Sequence, residues 1–175
     1  MSEEQLIKEA QLNTRGFESL YNKYYEGVLK FVYRRMANVE DTYDITAQVF
    51  TKAFINIKKF QFRNVPFSCW LYRIALSEIG QFYRNTSKQQ TVSIDKQGIK
   101  NIAEETNDNI EELETQLSLV LQQLNSDELQ LIEMRFFDGL PFAEMAQILD
   151  ITENNAKVKT YRILDKLRKN ISTID

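Results

Sequence analysis

The sequence contains no histidine, one cysteine, two prolines and five glycines among its 175 residues. The lack of histidine removes the commonest general base and metal ligand, and no glycine-rich phosphate loop appears. With Cys69 alone, a disulfide within the chain and a multi-cysteine zinc site are excluded. We therefore expect no catalytic residue, no cofactor and no bound metal, and we interpret the chain as a protein that is not an enzyme.

Long apolar runs are absent as well. No segment approaches the roughly 20 apolar residues of a transmembrane helix. The N-terminal segment MSEEQLIKEA is acidic and lacks the apolar stretch of a signal peptide. We expect a cytoplasmic protein without membrane insertion.

The residues that are present favour helices. Hydrophobic residues make up 43% of the chain, which is enough for a buried core, and no two strands joined by Asn-Gly or Asp-Gly can be recognised. The one Asp-Gly pair, Asp138-Gly139, lies between two helical patterns and is typical of a helix end. The predicted fold class is all-α, with two small helical domains joined by a flexible acidic linker.

Apolar spacing divides the chain into these parts. Helices predicted at about 14–37, 41–60 and 67–84 form a first domain, placed at 1–87. Residues 88–109 are polar, weakly periodic and contain Gly98, and we interpret them as the linker. Helical periodicity resumes near Ile110, and the second domain is placed at 110–175.

The last fifty residues contain a helix-turn-helix pattern. A short apolar-patterned segment ends at Asp150-Ile151, and Thr152 can cap a longer second helix. At about 100° per residue, one stripe of that helix is apolar and is expected to face the core. The stripe consists of Ala156, Thr160, Ile163, Leu164, Leu167 and Ile171.

The opposite face of this helix has the composition of a DNA-reading surface. Amide, arginine and aromatic side chains can contact base edges, and lysines suit phosphates. The candidate residues are Asn154, Asn155, Val158, Tyr161 and Arg162 on this face, with Lys157 and Lys159 on its flanks. Residues 154–171 hold six basic side chains against one acidic, a local charge of +5 in a chain of net charge −3. An ordinary solvated helix face is the alternative.

Charge also alternates along the chain. Residues 42–90 hold seven basic and two acidic side chains, whereas residues 91–125 hold two basic and seven acidic ones. Two basic regions separated by an acidic tether suggest two contacts on one polyanion. A further hypothesis is that the acidic segment occupies a basic groove when DNA is absent.

Three motifs resemble a known family. FSCWLYRIA at Phe67–Ala75, the elements around Asp44–Thr46 and Val49-Phe50, and MRFFDGLPFAEMAQIL at Met134–Leu149 are similar to elements of bacterial sigma factors of the extracytoplasmic function (ECF) group. The resemblance implies that the chain binds core RNA polymerase and directs promoter recognition. It also implies that the C-terminal domain reads the minus-thirty-five box and the N-terminal domain reads and helps melt the minus-ten box. An anti-sigma factor is an expected further partner.

The N-terminal domain offers candidates for both of its implied roles. Aromatic and polar groups in or beside an irregular loop can trap an unstacked base, and polar groups on the next helix can contact the strand. The minus-ten candidates are Phe60, Phe62, Arg63, Asn64, Arg73, Ser77, Gln81 and Arg84. Ser77 stands where the family often has an asparagine, and we expect Trp70 to be a core residue.

For polymerase binding, the resemblance points to Asp44, Gln48 and Lys52, with Phe50 packed inside. A solvated helix face is the alternative for the three polar residues. Two other functions compete with a sigma factor. A stand-alone helix-turn-helix regulator would explain Leu140–Ile171 but not FSCWLYRIA, and a helical protein-interaction module would leave both basic regions without a role.

Overall fold

The computed structural model of the protein describes residues 1–88, 90 and 93–172, except the side chain of Ser172. The chain divides into two compact units, Met1–Ser93 and Ile94–Asp175. Every regular element in the described residues is helical, which confirms the all-α prediction. Gln89, Thr91 and Val92 of the predicted linker and residues 173–175 of the predicted second domain lie outside the described residues.

The described part of the first unit contains four α-helices and one 3-10 turn. In chain order they are α1 (Glu3–Leu12), α2 (Thr14–Tyr33), α3 (Val39–Asn56), the 3-10 turn Ile57–Lys59 and α4 (Phe67–Thr86). Asparagines begin two of these helices. The side-chain oxygens of Asn13 and Asn38 accept the backbone N–H groups of Gly16 and Asp41 at 2.8 Å, which supplies acceptors that the first turn of a helix lacks.

The core of the first unit lies between α2, α3 and α4, the three helices that the apolar spacing predicted. Their inward side chains are almost completely buried. They include Leu20, Val28, Phe31, Val32, Ile45, Val49, Ala53, Leu71, Ala75 and Ile79. Helix α1 is an addition to the prediction, and it buries Ile7 and Ala10.

The described part of the second unit contains five α-helices and one π-helical turn. In chain order they are α5 (Lys96–Thr106), α6 (Ile110–Leu121), α7 (Ser126–Ile132), the π-helical turn Glu133–Phe137, α8 (Phe142–Leu149) and α9 (Glu153–Ser172). The predicted helix end at Asp138-Gly139 is present, and Gly139 has a φ of 70°. Such a φ favours glycine because it has no Cβ.

The prediction of a flexible linker over 88–109 was wrong for residues 96–106, which form α5. Asp95 caps this helix by accepting the backbone N–H of Gly98 at 2.7 Å. Ile99 and Ile102 are buried. A Cβ on Gly98 would lie 2.3 Å from the ring of Phe137, so α5 packs closely on the π-helical turn. Polar residues surround these apolar positions, so the helical periodicity of the segment is weak in the sequence. The segment is a short amphipathic helix that belongs to the second unit.

Candidate nucleic-acid interface

The helix-turn-helix consists of α8, a tight turn and α9. Asp150 ends α8 in the left-handed conformation, with a φ of 55°. The backbone N–H of Ile151 then donates a hydrogen bond to the backbone carbonyl of Ala146 at 3.1 Å. The hydroxyl oxygen of Thr152 then accepts the backbone N–H of Asn155 at 3.1 Å. The predicted cap is therefore confirmed, and aspartate serves the left-handed turn because it tolerates this conformation better than most residues.

The orientation of α9 is fixed by its apolar stripe. All six predicted positions are buried, from Ala156 and Thr160, which are fully inaccessible, to Ile171 at 8% exposure. The hydroxyl of Thr160 is satisfied by donation to the carbonyl of Ala156 at 2.8 Å, so its burial leaves no unpaired polar group. The opposite face must then point away from the core.

Five of the seven predicted residues lie on that opposite face, and Lys157 and Lys159 lie on its flanks; we call the seven together the recognition face. Asn155 is half-buried, and the other six, Asn154, Lys157, Val158, Lys159, Tyr161 and Arg162, are exposed. Helical spacing thus brings together two amides, three cations, an aromatic ring and an apolar side chain on one accessible surface. This set can hydrogen-bond base edges, contact methyl groups and pair with phosphates.

Two residues beside the recognition face were missed by sequence reasoning. Glu105 of α5 accepts a 2.7 Å hydrogen bond from the hydroxyl of Tyr161. This hydrogen bond, and to a smaller degree burial, raises the pKa of Tyr161 above its ordinary value. Arg135 places its guanidinium 4.2 Å from the ring centre of Phe142, whose ring centre is 6.1 Å from that of Tyr161. Only tertiary packing brings these residues to α9.

The first unit contains an open cleft of about 410 Å³ between the end of α3, the 3-10 turn and α4. Three of the predicted minus-ten residues, Phe60, Arg73 and Ser77, line it. The cleft is also lined by Lys52, Asn56, Lys59, Trp70, Ile74 and Glu78. Three cations, one carboxylate and two aromatic rings therefore line this cleft.

A buried carboxylate fixes the direction of Lys52. Glu78 of α4 is only 7% exposed, and its carboxylate pairs with the ammonium group of Lys52. An unpaired carboxylate at this depth would cost folding free energy. The ion pair therefore directs the Lys52 side chain from α3 towards α4. The structure therefore places Lys52 in the cleft, together with the minus-ten candidates.

Trp70 has two kinds of contact. Its ring centre lies 4.8 Å from that of Phe60 and 5.3 Å from that of Phe67, and Phe67 is fully buried. Trp70 itself is half-buried and lines the cleft. The expectation that Trp70 is a core residue is therefore met only in part, since the residue is half-buried.

The remaining minus-ten candidates lie outside the cleft lining. Phe62 is half-buried, and Arg63 and Asn64 are exposed in the loop before α4. On α4, Gln81 and Arg84 are exposed and hydrogen-bonded to each other at 2.9 Å. The predicted α4 residues, Arg73, Ser77, Gln81 and Arg84, recur every three or four positions and so follow one face of the helix.

The predicted polymerase-binding residues separate into two locations. Asp44 and Gln48 are exposed one turn apart on α3, whereas Lys52 turns into the cleft. Phe50 is buried as expected, with its ring centre 4.8 Å from that of Tyr21. Asp44 and Gln48 thus form a small accessible polar surface on α3.

Among the described residues, no group of three or more histidine, cysteine, aspartate or glutamate side chains is placed to hold a metal ion. None of the helices in the described part of the chain combines the length and the apolar character needed to cross a bilayer.

Comparison with known proteins gives two family matches. Residues 20–89 match Sigma-70 region 2, and residues 114–167 match Sigma-70, region 4. The chain is 24% identical over 169 residues to the ECF RNA polymerase sigma factor BldN of Streptomyces coelicolor, covering 94% of this chain but only 64% of that protein. It is 27% identical over 163 residues to the RNA polymerase sigma factor YlaC of Bacillus subtilis, covering 90% and 92% of the two chains.

A solved structure has the same fold. CnrH, in complex with the cytosolic domain of CnrY, superimposes with a TM-score of 0.65 and 18% identity over 97% of each chain. A helix-turn-helix unit and a helical unit with an open basic cleft are typical of proteins that bind nucleic acid. The two matched regions specify which class: the chain belongs to the sigma-70 family, in its extracytoplasmic function (ECF) group. It is a transcription initiation factor.

Proposed function

We propose that this protein binds the core of bacterial RNA polymerase and directs it to promoters with two spaced boxes. The observation that supports this most strongly is the orientation of α9, whose six buried residues leave the recognition face accessible. The proposal assigns the recognition of the minus-thirty-five box to this face. Arg162 and the two asparagines would contact base edges, and Lys157 and Lys159 would contact phosphates.

The minus-ten box is assigned to the first unit. The cleft would receive a base of the separated strand, against the rings of Phe60 and Trp70, since stacking on aromatic rings stabilises an extruded base. Ser77 is exposed at the rim and has a hydroxyl that both donates and accepts. Arg73, Gln81 and Arg84 would follow the strand along α4, and Phe62, Arg63 and Asn64 would contact it from the loop.

Polymerase binding is assigned to Asp44 and Gln48 on the exposed face of α3. Lys52, which the family resemblance also placed there, is better suited to the cleft because Glu78 holds its ammonium group. The protein would contribute binding and strand separation but no chemistry, which remains with the polymerase. Working with bacterial polymerase would place it in the cytoplasm, where a partner of anti-sigma type could cover the same surfaces.

The test is promoter-dependent transcription with purified core polymerase from the cognate host, with and without this protein, on fragmented genomic DNA of the source organism. New discrete start sites that share two spaced boxes are expected. If neither transcripts nor a complex with the core polymerase formed, the proposal would be rejected. A stand-alone operator-binding regulator would then be the better explanation of the helix-turn-helix.

A further inference from the structure

The loop between the 3-10 turn and α4 is held at both ends by side chains of α1, a helix with no role in the proposed function. At the first end, the amide nitrogen of Gln11 donates to the backbone carbonyl of Ile57 at 3.0 Å and to that of Phe60 at 2.8 Å. Both bonds are partly buried and connect residues 46 and 49 positions apart in the chain. One side chain thus fixes the backbone from which the Phe60 ring projects into the cleft.

At the second end, a carboxylate of α1 replaces a missing helix cap. Pro66 precedes α4 and provides no side-chain hydrogen bond. Instead, one carboxylate oxygen of Glu3 accepts a hydrogen bond from the backbone N–H of Phe67 at 3.1 Å. The other oxygen accepts a hydrogen bond from the hydroxyl of Tyr24. A carboxylate is favourable at this position because the N-terminus of a helix carries partial positive charge.

The spacing of the two holding residues is fixed by α1 itself. Glu3 and Gln11 are eight residues apart, which is about 12 Å along a helix. Helix α1 is pressed closely on α2, since a Cβ on Gly16 would lie 2.4 Å from the backbone of Glu9, and Ile7 and Ala10 are buried there. A rigid helix therefore sets the separation of the loop ends before any DNA is bound.

We propose that Gln11 and Glu3 are positioning residues for minus-ten recognition, which hold residues 60–66 in the conformation that receives an unpaired base. This rests on the proposed function of the cleft. A loop that is ordered in advance loses less conformational entropy when the strand binds. Without the two bonds from Gln11, the Phe60 backbone has to be ordered by the DNA itself, so the strand binds more weakly.

The test uses holoenzyme assembled from full-length protein and core polymerase, and single-stranded DNA that carries the non-template minus-ten box. A series of strands has one abasic site at each successive position. In the wild type, the position where base removal weakens binding most marks the trapped base. Gln11→Ala is expected to bind the intact strand about tenfold more weakly, the scale of one or two hydrogen bonds. In this variant, removal of the base at the marked position should cause little further loss of affinity.

Two further variants separate positioning from folding. Gln11→Glu keeps the length and helix preference of the side chain but has no donor for the two carbonyls, so it should behave as Gln11→Ala does. Lys8→Ala, on the exposed side of α1, should behave as the wild type does. At the other end, Glu3→Gln keeps an oxygen for the Phe67 N–H and should lose less affinity than Glu3→Ala.

The proposal is overturned if removal of the trapped base weakens strand binding by the Gln11 variants as much as it does for the wild type. It is also overturned if the variants bind all strands, intact and abasic, more weakly by one common factor. A failure of the proposed function has a different result. In that case the wild-type holoenzyme itself would show no position at which base removal matters.

Discussion

The hydroxyl of Tyr161, on the recognition face of α9, donates a 2.7 Å hydrogen bond to the carboxylate of Glu105 near the end of α5. Helix α5, which is part of the second unit, therefore contributes a negative charge at the edge of the surface assigned to DNA. The hypothesis that the acidic segment occupies a basic groove in the absence of DNA stays a prediction, since Glu105 contacts a tyrosine at the edge of this face.

Replacing Glu105 with glutamine should strengthen DNA binding. Glutamine keeps an acceptor for the Tyr161 hydroxyl but removes a charge that repels phosphate, so promoter affinity of the holoenzyme should rise about two- to fivefold at low salt. The gain should shrink as salt is raised, because screening weakens the repulsion. Glu104→Gln is the matched control, since Glu104 faces Lys100 instead. Equal gains for both variants would indicate a general charge effect without a role for the Tyr161 contact.

Arg162→Ala should weaken binding to the minus-thirty-five box and leave polymerase binding intact. The loss of a base-contacting arginine typically costs about 1–3 kcal/mol. Arg168→Ala makes the same charge change six residues later, where the side chain points about 120° away around the helix and Arg168 faces Asp108 at 3.7 Å. Promoter binding and core-polymerase binding are measured separately for each variant. Equal losses of promoter binding in the two variants would contradict the assignment of the recognition face.

Asp44→Ala combined with Gln48→Ala should have the reverse effect. The double variant is expected to bind core polymerase at least about tenfold more weakly, the scale of two interface contacts. Its helix content and unfolding midpoint should stay unchanged, because both side chains are exposed. The matched control removes another exposed pair one turn apart, Glu4 and Lys8 on α1. Unchanged assembly of the double variant with polymerase would show that this face of α3 is not the contact.

The parts of the fold that the sequence predicts are those set by local spacing. The stripe from Ala156 to Ile171 and the Thr152 cap are both in the structure because helical periodicity and capping act within a few residues. By contrast, α5 was missed although Ile99, Ile102 and Ala103 follow helical spacing. Polar neighbours and Gly98 obscured that pattern, and its stability depends on packing with Phe137, which no local rule reveals.

The site was predictable to a similar degree. Residues on one helix, such as those of the recognition face, could be assigned to a surface from their spacing alone. The Lys52–Glu78 pair joins positions 26 apart in the chain, and the contacts of Gln11 join positions even further apart. Such contacts follow from the way helices cross, so the placement of Lys52 in the cleft required the structure.

Gly98→Ala should destabilise the second unit. The added Cβ would meet the Phe137 ring at 2.3 Å, and overpacking of this kind costs about 1–3 kcal/mol. Gly80→Ala on α4 is the contrasting substitution, because its Cβ would meet only the flexible end of Arg84 at 3.3 Å. Alanine there should stabilise the first unit by about 0.5–1 kcal/mol. Chemical denaturation followed by circular dichroism measures both changes, and a stable Gly98→Ala protein would argue against close packing of α5.

Glu128 should make the stability of the second unit depend on pH. Its carboxylate accepts from Lys166 of α9 at 3.0 Å and from the backbone N–H of Asn125 at 3.1 Å. The Lys166 hydrogen bond is the main cause that lowers the pKa of Glu128. A carboxylate with a lowered pKa stabilises the folded state fully above its ordinary value of about 4.3, and this contribution is lost as the pH falls through the folded-state value.

Glu128→Gln should therefore lower the free energy of unfolding at pH 7, and should lower it by less at pH 3. The loss at pH 7 should be below about 1 kcal/mol, as for other accessible ion pairs, since glutamine retains the cap at Asn125. Glu128→Ala removes the cap as well and should lose roughly 0.5–2 kcal/mol more at pH 7. Urea unfolding followed by circular dichroism provides the comparison, and fluorescence of Trp70, the only tryptophan, reports the first unit as a reference. A Glu128→Gln loss of the same size at both pH values would contradict the ion pair as its cause.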